Sequence, residues 1–337
     1  MQENLTVASH LFPIHELKEV DGFQIPWIVN SYANDVEKSE SQQCVFDFTH
    51  WGVIRIQGPD SLDYLNRMST VNFKSFQVGE TAPGAFLTGR AGTISLVTFL
   101  RKENEVWIVT SQAQVSKTLE HLEKFHFGEN LTIENISAQT ALFAVVNPSS
   151  ELKSSEVTVW KDARIPQFFW VILPRENAMT WIQAQPISSF IGVKTYEYLR
   201  IRSGIPDIGK DIDESDIFLE GNYEEAVARN KGCYPGQEVV ERIFTYGSVN
   251  KKLIPVRCTL SEKQNARTLP QVVHSSDKIV GSLTSLIDDP RRAQGGLGLA
   301  ILQKDYWETS MELTTEFGDI LEVCSPINDN EKMIERK

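Results

Sequence analysis

The chain has 337 residues, room for more than one core because single hydrophobic cores stop growing at about 250–300 residues. Its 41% hydrophobic and 23% charged residues are those of a folded globular protein, and its apolar runs near 94–100 and 168–173 fall well short of the ~18 residues that cross a bilayer. A formal charge of −12 argues against a protein that grips a phosphate backbone, since that affinity comes from clustered Lys and Arg; neither nucleic acid nor membrane is expected as a direct partner.

The start, Met1-Gln2-Glu3-Asn4-Leu5, lacks the basic and apolar regions of a secretory signal, so a cytoplasmic protein is expected. Residues 45–57 read as strands, and Leu62, Leu65 and Met68 mark a helix over 61–68 after the Gly58-Pro59-Asp60 turn. Residues 84–100 and 105–110 read as antiparallel strands, broken at Gly89-Arg90-Ala91-Gly92 and at Lys102-Glu103-Asn104. A helix over 115–125 follows, with Val115, Leu119, Leu122 and Phe125 as its core face.

Residues 140–146, 157–160 and 168–173 are strand-like, the serine-rich segment 147–156 marks a loop and subdomain edge, and 177–185 reads as a helix with Trp181 inward. Strands and helices mixed in this order predict an α+β fold. From Lys252 the texture changes to short strands at 253–260, 271–273, 278–285, 296–302, 311–315 and 320–323, the spacing of a small antiparallel barrel or sandwich. The expected organisation is a module over 1–250 built from two α+β subdomains, a C-terminal β-barrel over 251–327, and a charged, fraying tail over 328–337.

Chemistry concentrates in Lys231-Gly232-Cys233-Tyr234-Pro235-Gly236-Gln237-Glu238. Pro235 and Gly236 suit the two central positions of a type II turn, and Val239, Val240, Ile243 and Phe244 recur at helical offsets, so a helix is expected to start at the turn. A thiol beside a helix N-terminus and a lysine favours its thiolate, whereas an isolated Cys-x-Pro-Gly is more often a small half-buried cysteine. The four cysteines, Cys44, Cys233, Cys258 and Cys324, lie too far apart for a disulfide framework or a cluster-ligand set, and the six histidines show no metal-ligand spacing, so no metal site is expected.

Two glycine patterns and one acidic run have bland readings. Gly204 to Lys210 has the letters of a phosphate-binding loop, but Asp211 stands where Ser or Thr would hold magnesium, Pro206 removes an N–H and Asp207 repels phosphate. Gly295-Gly296-Leu297-Gly298 is expected to be a turn between barrel strands, and Asp211, Asp213, Glu214 and Asp216 a solvated loop.

Lys231-Gly232-Cys233-Tyr234, Gly236-Gln237-Glu238, Arg200 to Pro206 and Phe218-Leu219-Glu220-Gly221, with Arg242, Gly247 and Lys252-Leu253 downstream and Phe46 to Asp60 upstream, together resemble YgfZ-type proteins of the glycine-cleavage T-protein (aminomethyltransferase) superfamily. The resemblance runs over most of the chain and implies three subdomains around a central hole that receives tetrahydrofolate, with the cysteine loop near its rim. Arg200, Arg202, Glu220, Tyr234, Gln237, Glu238 and Arg242 are the cofactor-site candidates it supplies, and Cys233 and Lys231 the catalytic ones, Lys231 balancing the thiolate's charge.

Two positions depart from the transferase branch. Lys117 stands where that branch carries an aspartate facing the reacting part of the folate, which disfavours aminomethyl transfer. Arg202 aligns with a pterin-recognising glutamate, and a guanidinium donates where a carboxylate accepts; Glu197 and Glu220 are the nearby carboxylates that could take over. The function the resemblance implies is an accessory factor, folate-linked, for assembly or repair of iron–sulfur enzymes, including tRNA-modifying ones, with Cys233 making a transient sulfur, cluster or redox contact. Its partners would be those enzymes or their assembly factors. A tetrahydrofolate-dependent one-carbon transferase and a non-catalytic protein-binding module are the alternatives.

Overall fold

The computed structural model describes residues 6–10, 14–149, 152, 157–261, 268–308 and 312–324. The tail 328–337, most of segment 150–156 and the first residue of the strand expected at 311 lie outside them. Strands β1 (Glu16–Val20) and β2 (Phe23–Ile28) form a hairpin on Asp21-Gly22, both in the left-handed region as such a tight turn requires. Helix α1 (Tyr32–Ser41) follows, its first turn capped by the Ser31 hydroxyl, which accepts the Asn34 N–H.

Next come β3 (Cys44–Asp47), β4 (Gly52–Gln57), α2 (Ser61–Met68), β5 (Thr81–Leu87), β6 (Thr93–Arg101), β7 (Glu105–Thr110), α3 (Gln112–Lys124), β8 (Thr132–Asn135), β9 (Thr140–Val146), β10 (Thr158–Lys161) and β11 (Phe168–Pro174). Two antiparallel sheets result, ordered β5-β6-β7-β4-β8 and β10-β11-β9-β3. The helices α2 and α3 cover the first sheet, burying Tyr64, Leu65, Val115 and Leu122 against Ile54, Ile56, Phe99 and Ile108. Phe125 at the end of α3 is exposed, because the helix stops at Lys124 and the chain turns away before another core position is reached.

Every residue of β9 is buried, which follows from its place in the middle of a sheet covered on both faces. Leu142, Ala144 and Val146 point into the large shared core, while Ala141, Phe143 and Val145 meet α4 (Ala178–Gln183) and Phe190 on the other side. Trp181 of α4 stacks on Phe143 with ring centroids 4.7 Å apart.

Helix α5 (Val193–Arg202) runs through the junction of the sheets, with Tyr196, Tyr198, Leu199 and Ile201 all buried, and α6 (Gln237–Tyr246) leads to the barrel. Strands β12 (Lys251–Thr259), β13 (Gln271–Ser275), β14 (Lys278–Asp288), β15 (Gly295–Gln303), β16 (Leu313–Thr315) and β17 (Ile320–Val323) close an antiparallel barrel in the order β12-β15-β14-β13-β16-β17. The fold is therefore α+β with a C-terminal barrel, as the alternation of strand and helix patterns predicts.

The glycine cluster expected in a turn lies inside β15 instead. A Cβ on Gly298 would come within 2.6 Å of Leu283 and 2.8 Å of the Ser285 carbonyl, so close approach of the barrel strands explains the glycines. Among the described residues no helix is long and apolar enough to cross a membrane.

Candidate functional site

A cavity of about 590 Å³ opens where the β1–β2 hairpin, the two sheets, the start of α3 and α5 converge. Its walls are aromatic: Trp27, Phe48, Trp51, Trp160, Trp170 and Tyr196 all line it. Trp170 packs 5.0 Å from both Phe48 and Trp51, and Tyr196 stands edge-on to Phe48 at 4.9 Å. The indole N–H of Trp170 donates to Asp162 at 2.9 Å, which fixes the ring's orientation.

Polar groups are few and placed. His50 is 4% exposed, lies stacked on Phe48, and its Nδ1 is buried without a partner among the described residues. Burial pulls its pKa down to about 4, so the imidazole is neutral near pH 7. Gln114 donates from Nε2 to the Ile208 carbonyl at 3.0 Å, and its own amide oxygen is buried and unpaired.

Arg200, 3% exposed, organises the floor. Its guanidinium donates to both oxygens of Glu197 at 2.8 Å and, on the other side, to Asp211 at 3.0 Å, Ser285 at 3.2 Å and the Ile205 carbonyl at 3.2 Å. Burial works to raise the Glu197 carboxyl, but the Arg200 charge and hydrogen bonds outweigh it and hold Glu197 ionised below the usual range. Asp207 is 3.9 Å from Arg200, lines the cavity and has 42% of its side chain exposed. Its depth in the molecule pushes its pKa up to about 6 against the pull of Arg200.

The sequence candidates divide around this cavity. Arg200 lines it, and so does Lys117, paired with Glu214 at 3.3 Å. Arg202 does not: its guanidinium leaves the other side of α5 for Glu40 at 3.2 Å, because five residues along a helix turn a side chain well away from the face of Glu197. Glu220 is also elsewhere, accepting the Ile217 N–H at 3.1 Å and pairing with Lys251 at 3.5 Å. Of the two nearby carboxylates, Glu197 lines the cavity and Glu220 does not; Asp162 and the site role of His50 escaped the residue motifs because the lining comes from separated stretches, and the run of buried aromatics around Phe48 and Trp170 was the available signal.

Asp211 is not part of a solvated loop. It is 2% exposed and accepts from Arg200, Asp207 N–H, Thr284 and Ser285, which ties α5 to β14 of the barrel. The Gly204 to Lys210 segment is a cavity-lining turn, with Gly204 and Gly209 in the left-handed region.

The cysteine loop forms a separate feature, and none of residues 231–242 lines the cavity. The expected type II turn is present: Gly236 has φ +82°, and the Gln237 N–H donates to the Tyr234 carbonyl at 3.2 Å as α6 begins. A Cβ on Gly236 would lie 2.8 Å from Ala91 Cα and the Thr88 carbonyl, so the loop is pressed onto the β5–β6 turn. Cys233 is exposed, while Cys44 and Cys258 are buried and Cys324 is half-buried.

The Lys231 ammonium is taken up by backbone carbonyls. It donates to the carbonyls of Asn66 and Val71, each at 2.8 Å, and of Ser69, closing the C-terminal end of α2, and stands 4.8 Å from the buried Tyr234 ring. Burial pulls Lys231 down to about 7, while the three carbonyl acceptors favour its charged form. Tyr234 and Gln237 hold the loop and the helix start, and Glu238 and Arg242 are exposed on α6.

Residues 15–173 match the family model of the GCVT N-terminal domain. A chloroplastic protein of Arabidopsis thaliana, whose name gives transferase as a provisional class, is 25% identical over 82% of this chain and 70% of its own length. The aminomethyltransferase of Halalkalibacterium halodurans is 24% identical over 90% of this chain and 92% of its own. Among solved structures, the glycine cleavage system aminomethyltransferase T from Bartonella henselae superposes with a TM-score of 0.78 over 92% of this chain and 93% of its own, at 17% identity, a likeness of fold.

Proposed function

We propose that the chain is a member of the glycine-cleavage T-protein superfamily, that it binds a reduced folate in the central cavity and that it acts as a YgfZ-like accessory factor for iron–sulfur enzymes, a reading supported by the match of residues 15–173 to the GCVT N-terminal domain and by the likeness of fold. Aminomethyl transfer is not the reading favoured. The carrying observation is the cavity itself: flat aromatic walls for a fused bicyclic ring, with acceptors on Glu197, Asp207 and the unpaired Gln114 carbonyl for the ring's N–H edge.

A bound reduced folate would supply a pair of nitrogens able to carry a one-carbon unit. Lys117 holds a cation, already paired with Glu214, where the transferase branch of the resemblance carries a carboxylate, so the residues that would stabilise an aminomethyl cation are missing from that position. His50, neutral and buried, can accept or donate one hydrogen bond without bringing charge into the aromatic wall.

The accessory role is supported by the geometry of Cys233. An exposed thiol on a turn clamped against the β5–β6 turn is presented to other proteins on a surface apart from the cavity lining. Tetrahydrofolate titration read by tryptophan fluorescence and calorimetry tests the folate part, since four of the seven tryptophans line the cavity. Saturable binding with quenching is expected, and no heat or quenching at millimolar folate would overturn it. The cysteine part is tested by complementation: Cys233→Ala should fail to restore iron–sulfur enzyme activity in a deletion strain, and full restoration would overturn it.

A further inference from the structure

The side of α5 turned away from the cavity carries its own concentration of charge. Arg202 of α5 and Arg291, on the turn between β14 and β15, donate to the same oxygen of Glu40 in the last turn of α1, at 3.2 and 2.8 Å. The other Glu40 oxygen takes no hydrogen bond from the described residues, so one carboxylate oxygen answers two guanidiniums. Both guanidiniums stand over the ring of Tyr198, one turn before Arg202, with Cζ 6.0 and 5.3 Å from its centroid. Asp289 takes the other edge of Arg291, from Nε at 3.1 Å and Nη2 at 3.5 Å.

Two buried donors in this cluster have no acceptor. Arg202 gives only Nη1 to Glu40, and its Nε is buried without a partner among the described residues. The Tyr198 hydroxyl is buried and unpaired as well, on a side chain with 0% exposure. Burial pushes that phenol up to about 12, so near neutral pH it carries its proton and can donate. A buried donor left unpaired is unfavourable, whereas Glu40, 39% exposed and held by one oxygen, is readily exchanged. The cluster lacks an acceptor with more oxygens than a carboxylate has.

We propose that Arg202, Arg291 and Tyr198 form a binding site for a phosphate dianion, free or as the phosphoryl group of a small ester, and that Glu40 occupies it as a stand-in that swings out when the ligand enters. A tetrahedral oxyanion brings enough oxygens to take the Nε–Nη2 edge of Arg202, Nη1 of Arg291 and the Tyr198 hydroxyl together. None of these residues lines the aromatic cavity, so the site is independent of the folate reading.

The test is calorimetric titration of the full chain with inorganic phosphate, with acetate as the planar control, in the native protein and in Glu40→Gln, Arg202→Gln and Arg291→Gln. Saturable binding of phosphate and not of acetate is expected. Glu40→Gln should bind about tenfold tighter, because the dianion no longer meets a negative charge beside it. Arg202→Gln and Arg291→Gln should each bind about tenfold more weakly, since a charge-assisted donor is lost. Methyl phosphate separates the two sources: affinity equal to that of phosphate assigns the site to esters, and lost affinity assigns it to the free ion, either result supporting the site. Urea denaturation of each variant checks that it is folded. A Glu40→Gln protein that is less stable and binds phosphate no better would reduce the cluster to a clamp between α1 and α5 and overturn the proposal. So would the absence of saturable heat in both the native protein and Glu40→Gln at tens of millimolar phosphate, or undiminished binding by folded Arg202→Gln.

Discussion

Arg200 Nη1 stands 3.0 Å from Asp211 Oδ2, with the two side chains at 3% and 0% exposure, and through this pair the helix under the cavity is joined to the barrel, because Asp211 also accepts from Thr284 and Ser285. Removing one partner of such a pair leaves a buried charge unanswered. Asp211→Ala is expected to lower the unfolding free energy by about 3–5 kcal/mol, measured by urea denaturation. A loss below about 1 kcal/mol would show that water or relaxation satisfies Arg200 instead.

Glu197 and Arg202 make opposite predictions for folate affinity. Glu197→Gln should weaken tetrahydrofolate binding by about tenfold, since an ionised acceptor in the cavity is lost. Arg202→Gln should leave the affinity unchanged, because its guanidinium lies on Glu40 and not in the cavity. Isothermal calorimetry distinguishes the two, and a large effect of Arg202→Gln would return that residue to the pterin site.

Lys231 is expected to matter for stability and not for the thiol. Lys231→Met leaves the carbonyls of Asn66, Ser69 and Val71, at and just after the end of α2, without their donor and should cost about 2 kcal/mol. The rate of Cys233 alkylation by iodoacetamide in the folded variant should match that of the native protein. A rate that falls severalfold would show that the lysine does balance the thiolate.

The buried His50 makes stability depend on acid. Its pKa is about 4 in the folded protein against 6.5 ordinarily, so between those values the unfolded chain takes up a proton that the folded chain refuses. The contribution of neutral His50 is present in full above pH 6.5 and is lost as pH falls to about 4, by about 3 kcal/mol. Denaturation midpoints measured from pH 7 to 4 should fall more steeply for the native protein than for His50→Phe. His121, which burial also lowers to about 4, keeps a residual slope in the variant.

Much of the fold was legible because it depends on local pattern. The strand 140–146, the helix 61–68, the turn at Pro235-Gly236 and the barrel strands follow from hydrophobic period, turn chemistry and glycine placement, and each lies within a few residues of its predicted bounds. Helix α5 was less legible: buried on nearly all sides, with Arg200 inside, it has no amphipathic stripe to announce it.

The sequence by itself determined the α+β class, the barrel and the turn that carries Cys233, since these rest on neighbours in the chain. Tertiary structure alone decided which charges are buried and which face the cavity. Asp211, read as solvated, is sealed against Arg200; Lys231, read beside a thiol, closes the end of a helix 165 residues away; Glu197 faces the aromatic walls while Arg202 does not. A charge's partner is set by what packs against it from distant elements, and in a low-dielectric interior that partner, not the residue type, determines its role.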